Sequence, residues 1–138
     1  MFCSEIMTKN PECVTPTDSV MKAAQLMKSE DVGPIPIVKD GKKLEGIVTD
    51  RDLALKVVAK GLDPKTTAVE EVMTGDVVTC KENDDIQKVL KLMQKHQVRR
   101  IPVVNNQDEL IGIIAQADVA TRLGNDSATG QIVEDISH

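Results

Sequence analysis

The sequence predicts an α/β fold in which two tandem β-α-β-β-α repeats pack about a pseudo-twofold axis. Three observations support this prediction. The chain matches itself at an offset of 66 residues, with sixteen of fifty positions identical between 5–54 and 71–120. Each copy alternates apolar runs of strand and helix periodicity. A copy of this length is also too short to bury a sufficient core alone, so we expect the two copies to pack together.

The identities fall on apolar, turn and acidic positions, and they define the boundaries of the repeats. They include Met7/Met73, Thr8/Thr74, Asp18/Asp84, Ile35/Ile101, Pro36/Pro102, Gly46/Gly112, Ile47/Ile113 and Asp52/Asp118. We place repeat one at 1–60, a linker at 61–70, repeat two at 71–123 and a C-terminal tail at 124–138.

Repeat one begins with a short β-prone segment and a helix. Val14-Thr15 is the first strand, and Thr17 and Asp18 offer N-cap oxygens for the helix that follows it. Four apolar residues recur there at helical spacing: Val20, Ala23, Ala24 and Met27.

A hairpin and a second helix complete repeat one. The runs 35–38 and 44–48 are apolar and rich in β-branched residues, and the Asp40-Gly41 turn between them predicts antiparallel pairing. The second helix is expected from about Arg51 to Gly61. Its apolar face would carry Leu53, Ala54, Val57 and Val58.

Repeat two follows the same order. We expect a strand at 77–79, a hairpin of 101–104 and 110–115, and a last helix at about 118–123. Its first helix would bury Ile86, Val89, Leu90 and Met93. In the polar tail, Ile132, Val133 and Ile136 could form a short docking segment.

Composition excludes several classes of function. The net charge is −5, and the chain has no Trp, no Tyr and one Phe, so neither a polyanion-binding surface nor base stacking is expected. We therefore predict neither nucleic-acid nor membrane binding. The three cysteines show no local metal or disulfide pattern, and no signal or membrane-spanning segment is evident, which favours a cytoplasmic protein.

The motifs of both copies resemble a tandem cystathionine-β-synthase (CBS) domain pair, or Bateman module, over about residues 5–123. The resemblance is carried by Ile6-Met7-Thr8, Val14-Thr15-Pro16, Ile35-Pro36-Ile37-Val38 and the run 46–53 in copy one, and by Val72-Met73-Thr74, the run 98–104 and the run 112–119 in copy two. With nothing fused at either end, the chain is similar to stand-alone CBS-pair proteins of the hypoxic response type. The resemblance implies regulatory binding of AMP, ADP, ATP or S-adenosylmethionine in the cleft between the repeats, and no required cofactor.

Thr49 and Asp52 stand where a strand passes into a helix. A hydroxyl beside a helix N-terminus suits phosphate, and a carboxylate one turn later suits ribose hydroxyls. The family assigns these roles to its matching Thr/Ser and Asp, and the neighbouring Arg51 belongs to the same motif. The alternative is that Asp50 and Asp52 only cap the helix.

The resemblance places an adenine slot at Val14, Ile35 and Pro36, although these apolar residues are also expected core residues. Thr15 is a further expected ligand-binding residue. Arg99 and Arg100 follow a basic stretch with Lys91, Lys95 and His96, and their guanidinium groups suit phosphate. The alternative is a solvated, charge-paired helix face.

Two other activities have less support. A metal site built from Cys13, Cys80, His96 and His138 would need ligands distant in sequence, and no catalytic motif is present. We therefore expect no enzyme. The rival hypotheses are a structural interaction module with empty pockets and a metal-binding CBS protein.

The two copies differ where the ligand is expected. Copy one reads Thr49-Asp50-Arg51-Asp52, whereas copy two reads Ala115-Gln116-Ala117-Asp118 and keeps only the carboxylate of Asp118. We expect the copy-one pocket to fill first. Exposed apolar helix faces also predict a homodimer, which could regulate a further, unidentified protein.

Overall fold

The computed structural model describes residues 1–123, which form two compact units. The repeat-one unit comprises Glu12–Val77, and the repeat-two unit comprises Met1–Pro11 together with the chain from Val78 onward. These units differ from the sequence repeats, because the N-terminal segment belongs with repeat two. The docking segment expected at Ile132, Val133 and Ile136 lies outside the described residues.

The helices and hairpins follow the predicted order in both repeats, but the strand predicted at Val14-Thr15 is only a single bridge between Val14 and Ile37. The strands are β1 (Thr8–Lys9), β2 (Pro34–Lys39), β3 (Lys43–Thr49), β4 (Cys80–Lys81), β5 (Arg100–Val104) and β6 (Leu110–Ala115). The helices are α1 (Val20–Glu30), α2 (Asp50–Leu53), α3 (Ile86–His96) and α4 (Gln116–Leu123), and α2 continues as a π-helical turn over Ala54–Val58. Short 3₁₀ turns lie at Cys3–Glu5 and Val69–Glu71.

The two hairpins confirm the sequence prediction. In β2–β3, Ile35 pairs with Val48 in an antiparallel register, and the turn uses the positive φ angles of Asp40 and Gly41. In β5–β6, Ile101 pairs with Ile114, at the position that the offset of 66 residues predicts. Both hairpins carry a register shift at the same place in the repeat.

The start of α1 differs from the prediction. Its N-cap is Ser19, whose side chain accepts the N–H of Lys22, rather than Thr17 or Asp18. The Asp18 carboxylate instead accepts the N–H of Thr15 at 2.8 Å and so closes the turn before the helix. Thr17 and Asp18 also offer side-chain oxygens, but only Ser19 immediately precedes the first helical residue.

The second helix of repeat one does not present the predicted apolar face. Val57 is buried and Leu53 is partly buried, but Ala54 is exposed and Val58 is 76% exposed. The prediction assumed α-helical spacing, whereas the N–H of Ala59 donates to the carbonyl of Ala54, five residues earlier. This wider turn rotates the residues that follow Leu53.

The first strand of repeat two lies later than predicted. It is β4 at Cys80–Lys81, parallel to β5, and not the segment 77–79. The offset maps Val14 onto Cys80, and Val14 forms the corresponding parallel bridge with Ile37. The β-branched residues 77–79 favoured a strand there, but the offset of 66 residues from Val14 predicts the observed position at Cys80.

Each unit receives the Met-Thr segment of the other sequence repeat. Thr8 in β1 pairs with Ile113 of β6, and Thr74 forms the equivalent bridge with Ile47 of β3. The four-stranded order β1-β6-β5-β4 results in the repeat-two unit. Each unit is therefore completed by an edge segment from the other sequence repeat.

Each unit has its own aliphatic core. The repeat-one core is formed by Val14, Val20, Ala23, Met27, Ile35, Ile37, Val48, Val57, Val69 and Val72. The repeat-two core is formed by Cys3, Cys80, Ile86, Val89, Leu90, Met93, Ile101, Val103, Ile114 and Val119. The residues predicted to face inward from α3 are all buried. Within residues 1–123, no helix is long and apolar enough to cross a membrane.

Candidate functional site

The strand-to-helix junction of the repeat-one unit is closed by a reciprocal capping box. Thr49 Oγ1 accepts the N–H of Asp52 at 3.1 Å, and Asp52 Oδ2 accepts the N–H of Thr49 at 3.0 Å. The helix-capping role considered for Asp52 is therefore present. A threonine hydroxyl that accepts one bond still has its own O–H to donate, and a carboxylate has further lone pairs.

Lys56 holds the Asp52 carboxylate from the other side. Its Nζ lies 3.0 Å from Asp52 Oδ1 and donates to the carbonyl oxygen of Val72 at 3.0 Å. The Asp52 side chain is only 12% exposed, so the ion pair fixes a carboxylate that is mostly shielded from water. Lys56 was not among the predicted site residues, although its spacing of four residues from Asp52 was an available signal.

A glycine makes room for the second acidic residue of this junction. The N–H of Asp50 donates to the carbonyl oxygen of Gly33 at 3.0 Å, and a Cβ on Gly33 would lie 3.2 Å from Asp50 Oδ1. The Asp50 carboxylate also accepts the N–H of Arg51, whose side chain is exposed. Gly33 was not predicted as a site residue. The repeat offered a signal, because the corresponding residue of copy two is Arg99.

Of the predicted adenine-slot residues, Ile35 and Pro36 lie on β2, and Val14 bridges to Ile37 of the same strand. Ile35 follows Pro34, which pairs with Thr49 across the hairpin. The N–H of Val14 donates to the carbonyl oxygen of Pro36 at 3.0 Å. Val14, Ile35 and Pro36 are buried, as the core interpretation requires.

Thr15 is exposed, but its backbone is engaged in the turn before α1. Its N–H donates to the Asp18 carboxylate, and this bond, with a smaller contribution from Lys22, lowers the pKa of Asp18 below its ordinary value. The repeat-one unit therefore places Ile35 next to Pro34 at the Thr49 end of the hairpin, whereas Val14 pairs with Ile37 further along β2. Because that bridge is parallel, Thr15 follows Val14 in the direction of Val38, away from Thr49.

The corresponding junction of the repeat-two unit has different chemistry. Ala115 lacks a hydroxyl to cap α4, and Asp118 is exposed in the first turn. Gln116 is buried and its N–H donates to the carbonyl oxygen of Arg99 at 2.8 Å. This junction therefore lacks both the capping hydroxyl and the Asp50 carboxylate of its counterpart.

The two arginines belong to the repeat-two unit, whereas the Thr49 junction belongs to the repeat-one unit. Arg100 begins β5 opposite Ala115, and Arg99 is exposed just before it. In the described part of the chain, neither guanidinium forms an ion pair, and Lys91, Lys95 and His96 are exposed.

A metal site built from Cys13, Cys80, His96 and His138 was a rival interpretation of the sequence. Among residues 1–123, no group of three His, Cys, Asp or Glu side chains is arranged to hold a metal ion. Cys13 belongs to the repeat-one unit and Cys80 to the repeat-two unit, where Cys80 contacts Cys3. His138 lies outside the described residues.

Comparison with known proteins identifies relatives along nearly the whole chain. The CBS domain family model matches twice, at residues 3–59 and 69–125. The chain is 39% identical over 134 residues to CBS domain-containing protein YhcV of Bacillus subtilis, which covers 97% of this chain and 94% of YhcV. It is also 39% identical to hypoxic response protein 1 of Mycobacterium tuberculosis, covering 86% of this chain and 82% of that protein.

Solved structures share the fold. Hypoxic Response Protein I with two coordinated zinc ions superposes with a TM-score of 0.83 at 37% identity, over 90% of this chain and 100% of that chain. CBSX2 in complex with AMP superposes with a TM-score of 0.76 at 26% identity, over 88% of this chain and 95% of that chain. The CBS domain pair of MJ0100 in complex with 5-methylthioadenosine and S-adenosyl-L-methionine superposes with a TM-score of 0.76 at 28% identity. The superposition covers 91% of this chain and 97% of that chain.

Proposed function

This chain belongs to the CBS-domain family as a tandem pair of domains, and on that premise we propose that it is a regulatory module that binds an adenosine-containing ligand. Binding would change the contacts of the module with a second copy or with a regulated protein. The ligand acts as a signal, and we expect no turnover and no required cofactor.

The observation that carries the proposal is the Thr49–Asp52 junction. It fixes a hydroxyl and a carboxylate three residues apart, with Lys56 holding the carboxylate in place. Fixed polar groups beside an apolar surface are the usual composition of a small-molecule site. The bound AMP of CBSX2 and the bound adenosine derivatives of the MJ0100 domain pair support adenosine as the ligand class.

We assign each part of the ligand to the repeat-one unit by its chemistry. The Asp52 carboxylate, with lone pairs left after the Thr49 and Lys56 contacts, accepts the ribose hydroxyls. The Thr49 hydroxyl donates to a phosphate oxygen. The adenine lies against Val14, Thr15, Ile35 and Pro36, and Arg51 is the nearby cation of the same motif.

A second site of the same kind is proposed on the repeat-two unit. Asp118 would accept the ribose hydroxyls there, and Arg99 and Arg100 would bind phosphate with side chains that form no ion pair within the described residues. Because Ala115 offers no hydroxyl, this site depends on the arginines for phosphate affinity.

Thermal unfolding with a panel of nucleotides tests the proposal. Protein is first shown to be nucleotide-free by its 260/280 nm absorbance ratio, which is sensitive because the chain has no Trp and no Tyr. At a concentration about 100-fold above Kd, a ligand stabilises the folded state by about 2.7 kcal/mol, which raises Tm by several degrees. We expect AMP, ADP, ATP or S-adenosylmethionine to do so, and GMP much less.

A flat response to all four adenosine compounds would contradict the proposal. It would favour a structural interaction module with empty pockets. A rise in Tm with zinc alone would instead favour a metal-binding CBS protein, the alternative that the zinc-containing Hypoxic Response Protein I raises.

A further inference from the structure

Two buried thiols meet in the core of the repeat-two unit. Cys3 Sγ lies 3.6 Å from Cys80 Sγ, although the residues are 77 positions apart in the chain. Both are free thiols, and neither side chain is more than 3% exposed. Two sulfur atoms this close are in direct van der Waals contact, so no other group separates them.

Backbone hydrogen bonds hold both cysteines at this contact. The N–H of Cys3 donates to the carbonyl oxygen of Asp84 at 3.0 Å, and the N–H of Ser4 donates to that of Glu82 at 3.0 Å. Cys80 is in β4, where it pairs with Val103. The sulfur atoms are therefore brought together by the fold of the N-terminal segment on the repeat-two unit.

The internal repeat shows that packing alone does not require cysteine here. At the offset of 66 residues, Cys3 corresponds to Val69 and Cys80 corresponds to Val14. Both valines are buried in the core of the repeat-one unit, as the cysteines are in theirs. A small apolar side chain satisfies both positions, so the thiol pair adds redox chemistry that the other unit lacks.

The two thiols are not equivalent. A hydrogen bond from the Cys80 thiol lowers the pKa of Cys3, whereas the shared hydrogen bond and burial raise the pKa of Cys80. A thiolate is the nucleophile in disulfide exchange, and Cys3 is the thiol of this pair whose pKa is lowered. Cys3 also lies next to the N-terminus, where short segments open most readily.

We propose that Cys3 and Cys80 are a reversible disulfide site that is oxidised by small disulfides of the glutathione type. The Cys3 thiolate attacks one sulfur of the small disulfide, whose S–S bond breaks, and the leaving thiolate takes up a proton. The Cys80 thiol then loses its proton and attacks Cys3 Sγ, which expels the second small thiol. The protein loses two electrons and two protons, and one small disulfide becomes two thiols.

The bond would tie the N-terminal segment covalently to the unit that it completes. In the reduced protein, this segment is held by backbone hydrogen bonds, by the β1–β6 pairing and by core contacts. Closing a loop of this length restricts the unfolded chain and stabilises the native state. Oxidation would therefore lock the exchanged edge strand of the repeat-two unit, and it does not depend on nucleotide binding.

The test uses the full chain with Cys13→Ser, which leaves only the proposed pair. The native protein is equilibrated in buffers of reduced and oxidised glutathione, and the sample is then unfolded in denaturant that contains excess iodoacetamide, so that buried free thiols are also blocked. We expect intact mass to show the loss of two hydrogen atoms in oxidising buffers, and peptide mapping to join Cys3 to Cys80. We also expect oxidation to raise Tm by several degrees and excess dithiothreitol to reverse the change.

Matched controls come from the other repeat. Cys3→Val and Cys80→Val, each in the Cys13→Ser chain, install the residues of the repeat-one unit and should fold with unchanged Tm in both buffers. Retention of two alkylated thiols in the native Cys13→Ser chain at every glutathione ratio would overturn the proposal. A cross-link that forms only in denaturant would overturn it equally, because the native contact would then play no part.

Discussion

A Cβ on Gly46 would lie 2.7 Å from the carbonyl oxygen of Thr74 and 2.8 Å from Met73 Sδ. The first contact is closer than real Cβ atoms approach a neighbour, and it involves backbone that is fixed by two hydrogen bonds between Ile47 and Thr74. Gly46 therefore lets the exchanged Met-Thr segment lie against β3. Gly112 does the same for Met7 and Thr8 against β6.

The first prediction is that Gly46→Ala destabilises the protein by about 2 kcal/mol, since the added methyl group forces the segment at Thr74 away from β3. Urea denaturation measures the change. Gly75→Ala is the matched control, because nothing lies within 4 Å of its Cβ position, and it should be nearly neutral. Equal effects of the two substitutions would show that the close approach at Gly46 is unimportant.

The second prediction concerns the cap that copy two lacks. Thr49→Ala removes the oxygen that accepts the N–H of Asp52 and should destabilise the protein by about 1 kcal/mol, whereas Thr49→Ser should restore most of that loss. Ala115→Thr supplies the missing hydroxyl at the start of α4 and should be stabilising. Denaturation of ligand-free protein checks all three. A destabilised Ala115→Thr would mean that the two junctions are not equivalent in backbone geometry.

The third prediction is a pH dependence that arises at Asp18. The N–H of Thr15, aided by Lys22, lowers the pKa of Asp18 below its ordinary value of 3.8, so the ionised group stabilises the fold above that value. This stabilisation is lost as pH falls through the depressed pKa. Asp18→Ala should therefore cost about 1 kcal/mol at neutral pH, where solvent screens the partly exposed carboxylate. Its stability should approach that of the natural chain at pH values below the depressed pKa, and a constant difference down to that range would contradict the assignment.

The sequence predicted the elements whose signals are local. The hairpins follow from β-branched runs on either side of Asp40-Gly41, and α3 follows from the helical spacing of Ile86, Val89, Leu90 and Met93. The exchange of Met-Thr segments was not predicted, because the pairing of Thr8 with Ile113 is a contact between distant parts of the chain. The two copies share Gly46 and Gly112 at equivalent positions, but the identity alone did not show which segment packs against these glycines.

The candidate site was predicted in part. Thr49 and Asp52 were identified from the motif, and the structure adds that each is already bonded to the other. Gly33 and Lys56 were not predicted, because their roles depend on three-dimensional contacts. Gly33 lies close to the Asp50 carboxylate, and Lys56 binds the Asp52 carboxylate. The exposure of Val58 was missed as well, since residue spacing does not reveal a π-helical turn.

The fourth prediction is that the protein is a homodimer. Leu55, Val58 and Leu62 are 49%, 76% and 43% exposed in one short segment of the repeat-one unit. Large apolar side chains clustered on a surface favour association, and symmetric closure is its commonest form. Light scattering should give twice the 15.0 kDa of one chain. A monomer mass from micromolar to hundreds of micromolar, with and without AMP, would contradict the prediction.

The last prediction is that the two proposed ligand sites are unequal and that the site at Thr49 fills first. A hydrogen bond from a hydroxyl to a charged phosphate contributes about 1.5–3 kcal/mol, so the alanine at position 115 should weaken the second site roughly tenfold to a hundredfold for phosphorylated ligands. Calorimetric titration with AMP should therefore show a tighter phase that Asp52→Asn removes and Asp118→Asn leaves nearly intact. Asparagine is chosen because its carbonyl oxygen can still accept the N–H of Thr49 and so preserve part of the cap. The Tm of each ligand-free variant separates a loss of affinity from a loss of folding. If Asp118→Asn removes the tighter phase instead, the arginines of the repeat-two unit outweigh the missing hydroxyl, and the principal site belongs to that unit.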